Sequence, residues 1–316
     1  MKLVCIGELL IDLIPNKNNT YTKYAGGAPA NVSVAAKLNG VESYFIGKVG
    51  NDFFGRFLID ELNNKGIDTK YIVKDNNYPT SLAIVSLTKE GERNFNFYRN
   101  PSADQYYYFQ EVPKNLLSNS ILHFGSLSLA NYPIKKTLLK TIKYVEKNNG
   151  LISFDPNIRL TLWKNENEYK KVVKKFIKYT NILKLTEEEL LLIFINLNKE
   201  AAINILFKNK KLKYLIITLG DKGVELYINN YYNMYYYPAF KINVKDTVGA
   251  GDAFIGAFLG ELIKSNFNVN INNVYEILKI CNATAALTLT KHGSIAAIPK
   301  YKDVIEFIES YEKTKL

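Results

Sequence analysis

Short apolar runs alternate with longer amphipathic segments along almost the whole chain. The apolar runs predict buried strands at 3–6, 43–46, 121–124, 151–154, 181–185 and 214–218. The amphipathic segments predict helices at 29–39, 51–65, 134–148, 167–179, 187–195, 199–209, 251–265, 272–290 and 302–313. Because strands that alternate with helices are joined by crossover connections, the pattern predicts an α/β fold with a mostly parallel central sheet and helices on both faces.

Two regions depart from this alternation. Residues 13–25 contain strand-like pieces around a turn at 16–19, and residues 79–99 contain two alternating runs around Lys89-Glu90-Gly91, which is typical of a hairpin. Antiparallel strands inserted early in an α/β chain indicate a small β lid. We therefore expect one domain, residues 1–316, with a discontinuous lid from about 13–25 and 79–100.

Composition excludes several function classes. With only two cysteines and two histidines, the chain has no disulfide scaffold, and a Cys/His zinc site would need all four. The net charge of +11 is dispersed, and its densest run, 169–178, has the spacing of a helix with a solvated basic face, so we expect no nucleic-acid partner. No apolar run is long enough to span a membrane, and Glu8 and Asp12 interrupt the N-terminal apolar stretch, so we expect a cytoplasmic protein.

The most informative stretch surrounds Gly249-Ala250-Gly251-Asp252. Downstream, Phe254 and Phe258 lie on one stripe, which predicts that a buried helix begins near Gly251. Free backbone N–H groups at such a helix start form an anion site, and the helix dipole there favours the ionised form of Asp252. An anion site beside a carboxylate suits phosphoryl transfer to a hydroxyl group, with the carboxylate accepting the proton.

Other interpretations of this stretch are weaker. A dinucleotide-binding fingerprint would need a glycine at position 254, which is Phe254, and the chain has no Walker A loop. An ordinary helix-start turn with a first-turn acid remains open.

A second stretch begins at Gly26-Gly27. The two glycines allow a close approach of the backbone to a ligand, and Asn31 follows in the first turn of a predicted helix. Asp12 is predicted to end the first strand, where open α/β sheets bind ligands. Asp12 and Asn31 are therefore candidate contacts for neighbouring hydroxyl groups, with a tightly packed small-residue helix as the alternative.

Together these stretches resemble the two signature regions of the ribokinase-type (PfkB) carbohydrate kinases, and the similarity extends over nearly the whole chain. Further matching motifs lie at 7–12, 47–55, 97–104 and 154–159. Within the family, the chain is most similar to fructokinases. The resemblance implies a ribokinase-like three-layer α/β sandwich with a small β lid.

The resemblance also implies roles for individual residues. Asp252 matches the catalytic base, and the backbone of Gly249, Ala250 and Gly251 matches the anion hole. The implied sugar contacts are Asp12, Gly26, Gly27, Asn31, Arg99 and Arg159. The implied nucleotide contacts are Lys184, Thr218, Gly220, Gly223 and Asn282.

ATP, Mg²⁺ and K⁺ are the implied cofactors. Glu189 would act on magnesium through water or phosphate, and Asp246 with the carbonyl of Val248 would hold the monovalent cation. The family usually has Asn where this chain has Thr186, which predicts altered metal or phosphate affinity. An acidic first turn that complements a helix dipole is the alternative role for Glu189.

The leading hypothesis is an ATP-dependent fructokinase that transfers the γ-phosphoryl group to O6 of D-fructose. A kinase for another sugar, sugar acid or nucleoside, such as ribose or 2-keto-3-deoxygluconate, is the nearest alternative. A catalytically silent sugar-sensing relative is the alternative from another class. The open edges of lid strands also predict a homodimer formed through the lid.

Overall fold

The computed structural model describes residues 1–16, 18, 20–87, 93–228 and 233–314. Within these residues, nine strands form a central sheet in the order β13-β12-β11-β10-β9-β8-β1-β4-β5. The strands of this sheet, numbered in chain order with the lid strands, are β1 (Lys2–Ile6), β4 (Ser43–Gly50), β5 (Ile72–Asp75), β8 (Ser120–Gly125), β9 (Leu151–Asp155), β10 (Ile182–Thr186), β11 (Tyr214–Thr218), β12 (Val224–Ile228) and β13 (Met234–Tyr237). All neighbours pair in parallel except β11 with β12 and β12 with β13.

Helices cover both faces of this sheet. They are α1 (Ala28–Leu38), α2 (Phe53–Asn64), α3 (Ile134–Lys147), α4 (Glu166–Ile177), α5 (Glu187–Ile193), α6 (Lys199–Leu206), α7 (Ala250–Lys264), α8 (Val274–Leu289), α9 (Ser294–Ala297) and α10 (Tyr301–Lys313). Alternate residues of β1 enter different cores: Leu3 and Cys5 pack with α1, α2, α7 and α8, whereas Val4 and Ile6 pack with α3 to α6. The expected three-layer α/β fold is therefore confirmed.

A second, smaller sheet lies beside the central one, and we call it the lid. Its order is β3-β2-β6-β7, with strands β2 (Leu10–Pro15), β3 (Tyr21–Gly26), β6 (Leu82–Leu87) and β7 (Arg93–Tyr98). β2 pairs in parallel with β6, and the other pairs are antiparallel. The predicted hairpin turn at Lys89-Glu90-Gly91 lies outside the described residues, as do two residues of the turn predicted at 16–19.

The six predicted strands and the nine predicted helices all occur near their expected positions. Strands β5, β12 and β13, at the two edges of the central sheet, were not predicted. The prediction that Asp12 ends the first strand is wrong, because β1 ends at Ile6 and Asp12 lies within lid strand β2, opposite Tyr24. No helix in the described part of the chain is long and apolar enough to cross a membrane.

Candidate active site

The N-terminus of α7 is the centre of the site. Gly249 caps this helix with φ 83, a left-handed conformation that favours glycine, and a Cβ there would lie 2.9 Å from Cβ of Ser294. Ala253 N–H donates to the Gly249 carbonyl at 2.8 Å, which closes the first turn. The N–H groups of Ala250 and Gly251 precede the first of these helical bonds, as an anion-binding helix start requires.

Asp252 is buried within this first turn and meets the other predicted stretch directly. Asn31 Nδ2 in α1 donates to Asp252 Oδ2 at 2.7 Å, and Asn157 Nδ2 approaches Oδ1 at 3.4 Å. The two helices can approach closely because residue 256 is glycine: a Cβ there would lie 2.5 Å from Cβ of Ala35. Residues 221 positions apart in the chain therefore share one hydrogen bond.

The surroundings of Asp252 shift the pKa of its carboxyl group. Burial, followed by the negative charge of Asp155, raises the pKa of Asp252 from 3.8 to about 6, although Asn31, Lys184 and Arg159 act in the opposite direction. Loss of water therefore makes this carboxyl group less acidic than an exposed aspartate, in the direction opposite to the effect of the helix dipole. At neutral pH a carboxyl with this pKa is still mostly ionised and can accept a proton.

Lys184 supplies a positive charge beside this helix start. Its Nζ lies 2.7 Å from Asp155 Oδ2 in a buried ion pair, and a Cβ at Gly251 would lie 2.9 Å from Nζ. Burial lowers the pKa of Lys184, but Asp155, Glu189 and Asp252 together raise it above its ordinary value, so the ammonium group stays charged. A fixed cation next to the amide groups of α7 adds to their attraction for a phosphoryl group.

A first cavity of about 650 Å³ opens in front of Asp252. It lies between the lid and the carboxyl ends of the central strands, where α/β sheets place their ligands. Of the predicted residues, it is lined by Asp12, Gly27, Asn31, Arg159, Lys184, Val248, Gly249, Gly251 and Asp252. The structure therefore brings most of the predicted sugar-site residues together.

Gly26 and Arg99 are the two predicted sugar contacts that do not line this cavity. Gly26 makes room for a neighbour, because a Cβ there would lie 2.1 Å from Asp12 Oδ2. Arg99 is buried and ion-paired: its Nε donates to Asp104 Oδ2 at 3.1 Å, and its Nη2 contacts the same oxygen. By contrast, Arg159 lines the cavity, where its Nη1 donates to the carbonyl of Ile158 at 2.7 Å.

A second cavity of about 690 Å³ contains all the predicted nucleotide contacts, namely Lys184, Thr218, Gly220, Gly223 and Asn282. Its remaining wall is partly apolar, with Phe240, Val244 and Leu289 suited to the face of a base. Asn282 Nδ2 donates to the Leu278 carbonyl within α8 at 2.9 Å. The two cavities share four wall residues, Lys184, Thr186, Thr247 and Gly251.

Glu189 has a structural role in this arrangement. Its carboxylate accepts the backbone N–H of Ile158 at 2.7 Å and of Thr186 at 2.9 Å, while Thr186 Oγ1 accepts Glu189 N–H at 3.1 Å. This is a capping box at the start of α5. Neither cavity is lined by Glu189, so its action on magnesium stays a prediction.

Asp246 joins two loops beside the helix start. Its Oδ1 accepts the N–H of Val248 at 2.9 Å, and its Oδ2 accepts the N–H of Gly293 at 3.1 Å. The predicted monovalent cation site, at Asp246 and the Val248 carbonyl, thus lies where these loops meet. Among the described residues, no group of three or more His, Cys, Asp or Glu side chains is arranged to bind a metal ion.

Sequence reasoning did not single out several residues at the first cavity. Glu8, Asn157 and Thr247 line it, and Asn157 also contacts the carboxyl of Asp252. A signal for each was present in the sequence: Glu8 and Asn157 lie within the matching motifs at 7–12 and 154–159, and Thr247 directly follows Asp246.

A three-layer α/β domain with a β lid, a buried carboxyl at a helix start and two adjoining cavities has the architecture of a ribokinase-like kinase. The model of the pfkB family carbohydrate kinases matches residues 1–301, and the chain belongs to this family. It is therefore a phosphotransferase that acts on a sugar hydroxyl group.

Individual relatives agree with this assignment. The chain is 35% identical to fructokinase-1 of Zea mays in an alignment of 317 positions, which covers 97% of each chain. The crystal structure of fructokinase with bound ATP from Xylella fastidiosa superposes with a TM-score of 0.91 at 29% identity, covering 98% of this chain and 99% of that one. A fructokinase double mutant from Vibrio cholerae O395, bound to fructose, ADP and potassium, superposes with a TM-score of 0.90 at 31% identity, covering 97% and 98%. The expected ribokinase-like fold is thereby confirmed.

Proposed function

We propose that this protein is an ATP-dependent fructokinase that transfers the γ-phosphoryl group of ATP to O6 of D-fructose. The observation that carries the proposal is the buried Asp252, held by Asn31 at 2.7 Å at the helix start that faces the first cavity. The likeness to fructokinases, including one bound to fructose and one bound to ATP, favours fructose as acceptor and ATP as donor.

In this mechanism the sugar occupies the first cavity with one hydroxyl group facing Asp252. Asp12, Gly27, Asn31 and Arg159 hold and orient the other hydroxyl groups. The ionised Asp252 accepts the proton of the attacking hydroxyl, because a pKa of about 6 leaves it mostly charged at neutral pH.

The phosphoryl group crosses the shared wall between the cavities. The N–H groups of Gly249, Ala250 and Gly251, together with the Lys184 ammonium group, neutralise the negative charge on the transferred group. The nucleotide lies in the second cavity, with its phosphates at the glycine-punctuated turn that contains Gly220 and Gly223.

Two ions complete the proposal. Mg²⁺ would neutralise the phosphate oxygens of ATP, and since it keeps several waters, the engaged carboxylate of Glu189 would act on it indirectly. K⁺ prefers oxygen ligands, which fits the Val248 carbonyl and the loop that Asp246 fixes through Gly293.

The test is an ADP-release assay with fructose, ribose, 2-keto-3-deoxygluconate and a nucleoside as acceptors, followed by identification of the product. We expect kcat/KM to be highest for fructose and the product to be fructose 6-phosphate. If kcat/KM is higher for another acceptor, that acceptor is the substrate and fructose is not. Sugar binding by calorimetry without turnover would instead support a silent sugar-sensing protein.

A homodimer through the lid is also part of the proposal. Tyr21 and Tyr98, on the two outer lid strands, are 55% and 61% exposed. Such edges favour pairing with a second copy. Sedimentation equilibrium at micromolar protein should give twice the 36.0 kDa chain mass, and the monomer mass would exclude the dimer.

A further inference from the structure

A buried polar cluster lies where the lid joins the central domain, and we call Glu8, Ser81, Arg99 and Asp104 the hinge cluster. Asp104 accepts from Arg99 Nε at 3.1 Å and is also contacted by the hydroxyl group of Ser81. Ser81 directly precedes β6, Arg99 directly follows β7, and Glu8 comes shortly before β2. The cluster therefore touches three of the four places where the chain crosses between the central domain and the lid.

Glu8 is the member of this cluster that reaches the first cavity. Its side chain lines the cavity with Asp12, Gly27 and Asn31, although the residue is only 2% exposed. Burial raises the pKa of Glu8 to about 7; the charge of Arg99 opposes this shift, and the charges of Asp104 and Asp252 add to it. Near neutral pH the carboxyl group can therefore act both as a hydrogen-bond donor and as an acceptor.

The hydrogen bonds of this carboxyl group are incomplete. Within the described residues, the carboxyl group accepts from the backbone N–H of Glu8 itself and from one side chain, since Ser128 Oγ contacts Oε2 at 3.4 Å, which is long for an O–H donor. The neighbouring Arg99 also has a buried Nη1 with no hydrogen-bond partner among these residues. Buried polar groups are normally satisfied, so the sparse hydrogen bonding of the Glu8 carboxyl group points to a partner in the cavity that this group lines.

We propose that Glu8 is a specificity-determining residue whose carboxyl group hydrogen-bonds a hydroxyl group of the sugar in the first cavity. The proposal rests on the proposed function, since it assumes that the first cavity holds the sugar. A polyhydroxylated ligand supplies both donors and acceptors, which is what a half-satisfied carboxyl group needs. The ion pair of Arg99 with Asp104 holds in place two charges that act on the Glu8 carboxyl group.

The experiment measures kcat/KM for fructose and for its 1-deoxy, 3-deoxy and 4-deoxy analogues, all of which keep the hydroxyl group at C6. The enzymes compared are the wild type, Glu8→Gln, Glu8→Ala and Glu261→Ala. Glu261 is the matched control, because it is also a buried glutamate with hydrogen-bond partners, Asn39 and Lys264, but lines neither cavity.

For the wild type, we expect one analogue to be poorer than fructose by about 10- to 100-fold, the usual cost of leaving a buried charged or polar group unpaired. In Glu8→Ala, kcat/KM for fructose should fall by a similar factor. The penalty for that analogue, which is the ratio of kcat/KM for fructose to kcat/KM for the analogue, should shrink to less than about threefold. The other two analogues should keep their penalties. Glu261→Ala should keep the wild-type pattern for all three, even if its unfolding temperature falls.

Unchanged penalties for all three analogues in Glu8→Ala would overturn the proposal, whatever the effect on stability. If Glu8→Ala does not fold, Glu8→Gln tests the proposal, because its amide group preserves the volume of the side chain. Glu8→Gln should then alter the penalty of one analogue only. If the wild type prefers another sugar, the fructose assignment fails on its own, and the same comparison with deoxy analogues of that sugar still tests Glu8.

Discussion

The activity of this kinase should fall steeply between pH 7 and pH 5, because burial and Asp155 raise the pKa of Asp252 to about 6. A base with that pKa is about 90% ionised at pH 7 and about 10% ionised at pH 5, so kcat/KM for the sugar should decrease roughly tenfold. With the ordinary pKa of 3.8, the ionised fraction would decrease by less than about a tenth. The profile thus separates a buried base from one controlled by the helix dipole.

The assay is direct chromatographic separation of ADP from ATP at saturating ATP and Mg²⁺, so that no coupling enzyme contributes its own pH dependence. Full recovery of activity after return to pH 7 excludes irreversible acid denaturation. The profile is repeated with Glu8→Gln, since Glu8 also lines the cavity and burial raises its pKa to about 7. A rate in Glu8→Gln that changes less than twofold between pH 7 and pH 5 would refute the argument.

The other predictions concern the same region. Asp252→Asn should lower kcat by about 10²- to 10⁴-fold. The same variant should be more stable than the wild type at pH 7, by up to roughly 3 kcal/mol. The reason is that a carboxyl group whose pKa is raised from 3.8 to about 6 by folding lowers stability as the pH rises through this range, and the full cost is present at pH 7. A thermal scan in which the variant unfolds earlier would contradict this sign. Gly256→Ala should lower the free energy of unfolding in urea by about 1–3 kcal/mol, because the new Cβ would crowd Ala35. An unchanged unfolding midpoint would show that α1 and α7 are not tightly packed. Lys184→Met should lower the free energy of unfolding by about 3–5 kcal/mol, because it leaves Asp155 buried and unpaired. The double variant Lys184→Met/Asp155→Leu should recover much of that loss. Equal stabilities of the single and double variants would show that the unpaired Asp155 is not the cause.

The interior of the fold was predictable from the sequence because its strands are buried on both faces. The run at 3–6 is wholly buried in β1, so apolar residues are favoured at every position. The edge strands carried no such signal. In β5, for example, only Ile72 is buried and Lys74 is exposed, which leaves too little apolar pattern in four residues.

In the site, features that depend on neighbouring residues in the chain could be predicted from the sequence. Features that depend on residues distant in the chain could not. The first-turn position of Asp252 follows from the neighbouring glycines, and the structure places it there. Its raised pKa depends on Asp155 and on burial against α1, which no local pattern contains. Arg99 is a different case, because its partner Asp104 is only five residues away and the pairing depends on the shape of the turn between them.

The wall shared by the two cavities has a consequence for the end of the reaction. Lys184 and Gly251 border both spaces, so a phosphorylated sugar would place its new phosphate group where the terminal phosphate of the next ATP must lie. Under the proposed function, product and incoming nucleotide would exclude one another sterically, and accumulated sugar phosphate would inhibit the enzyme in competition with ATP.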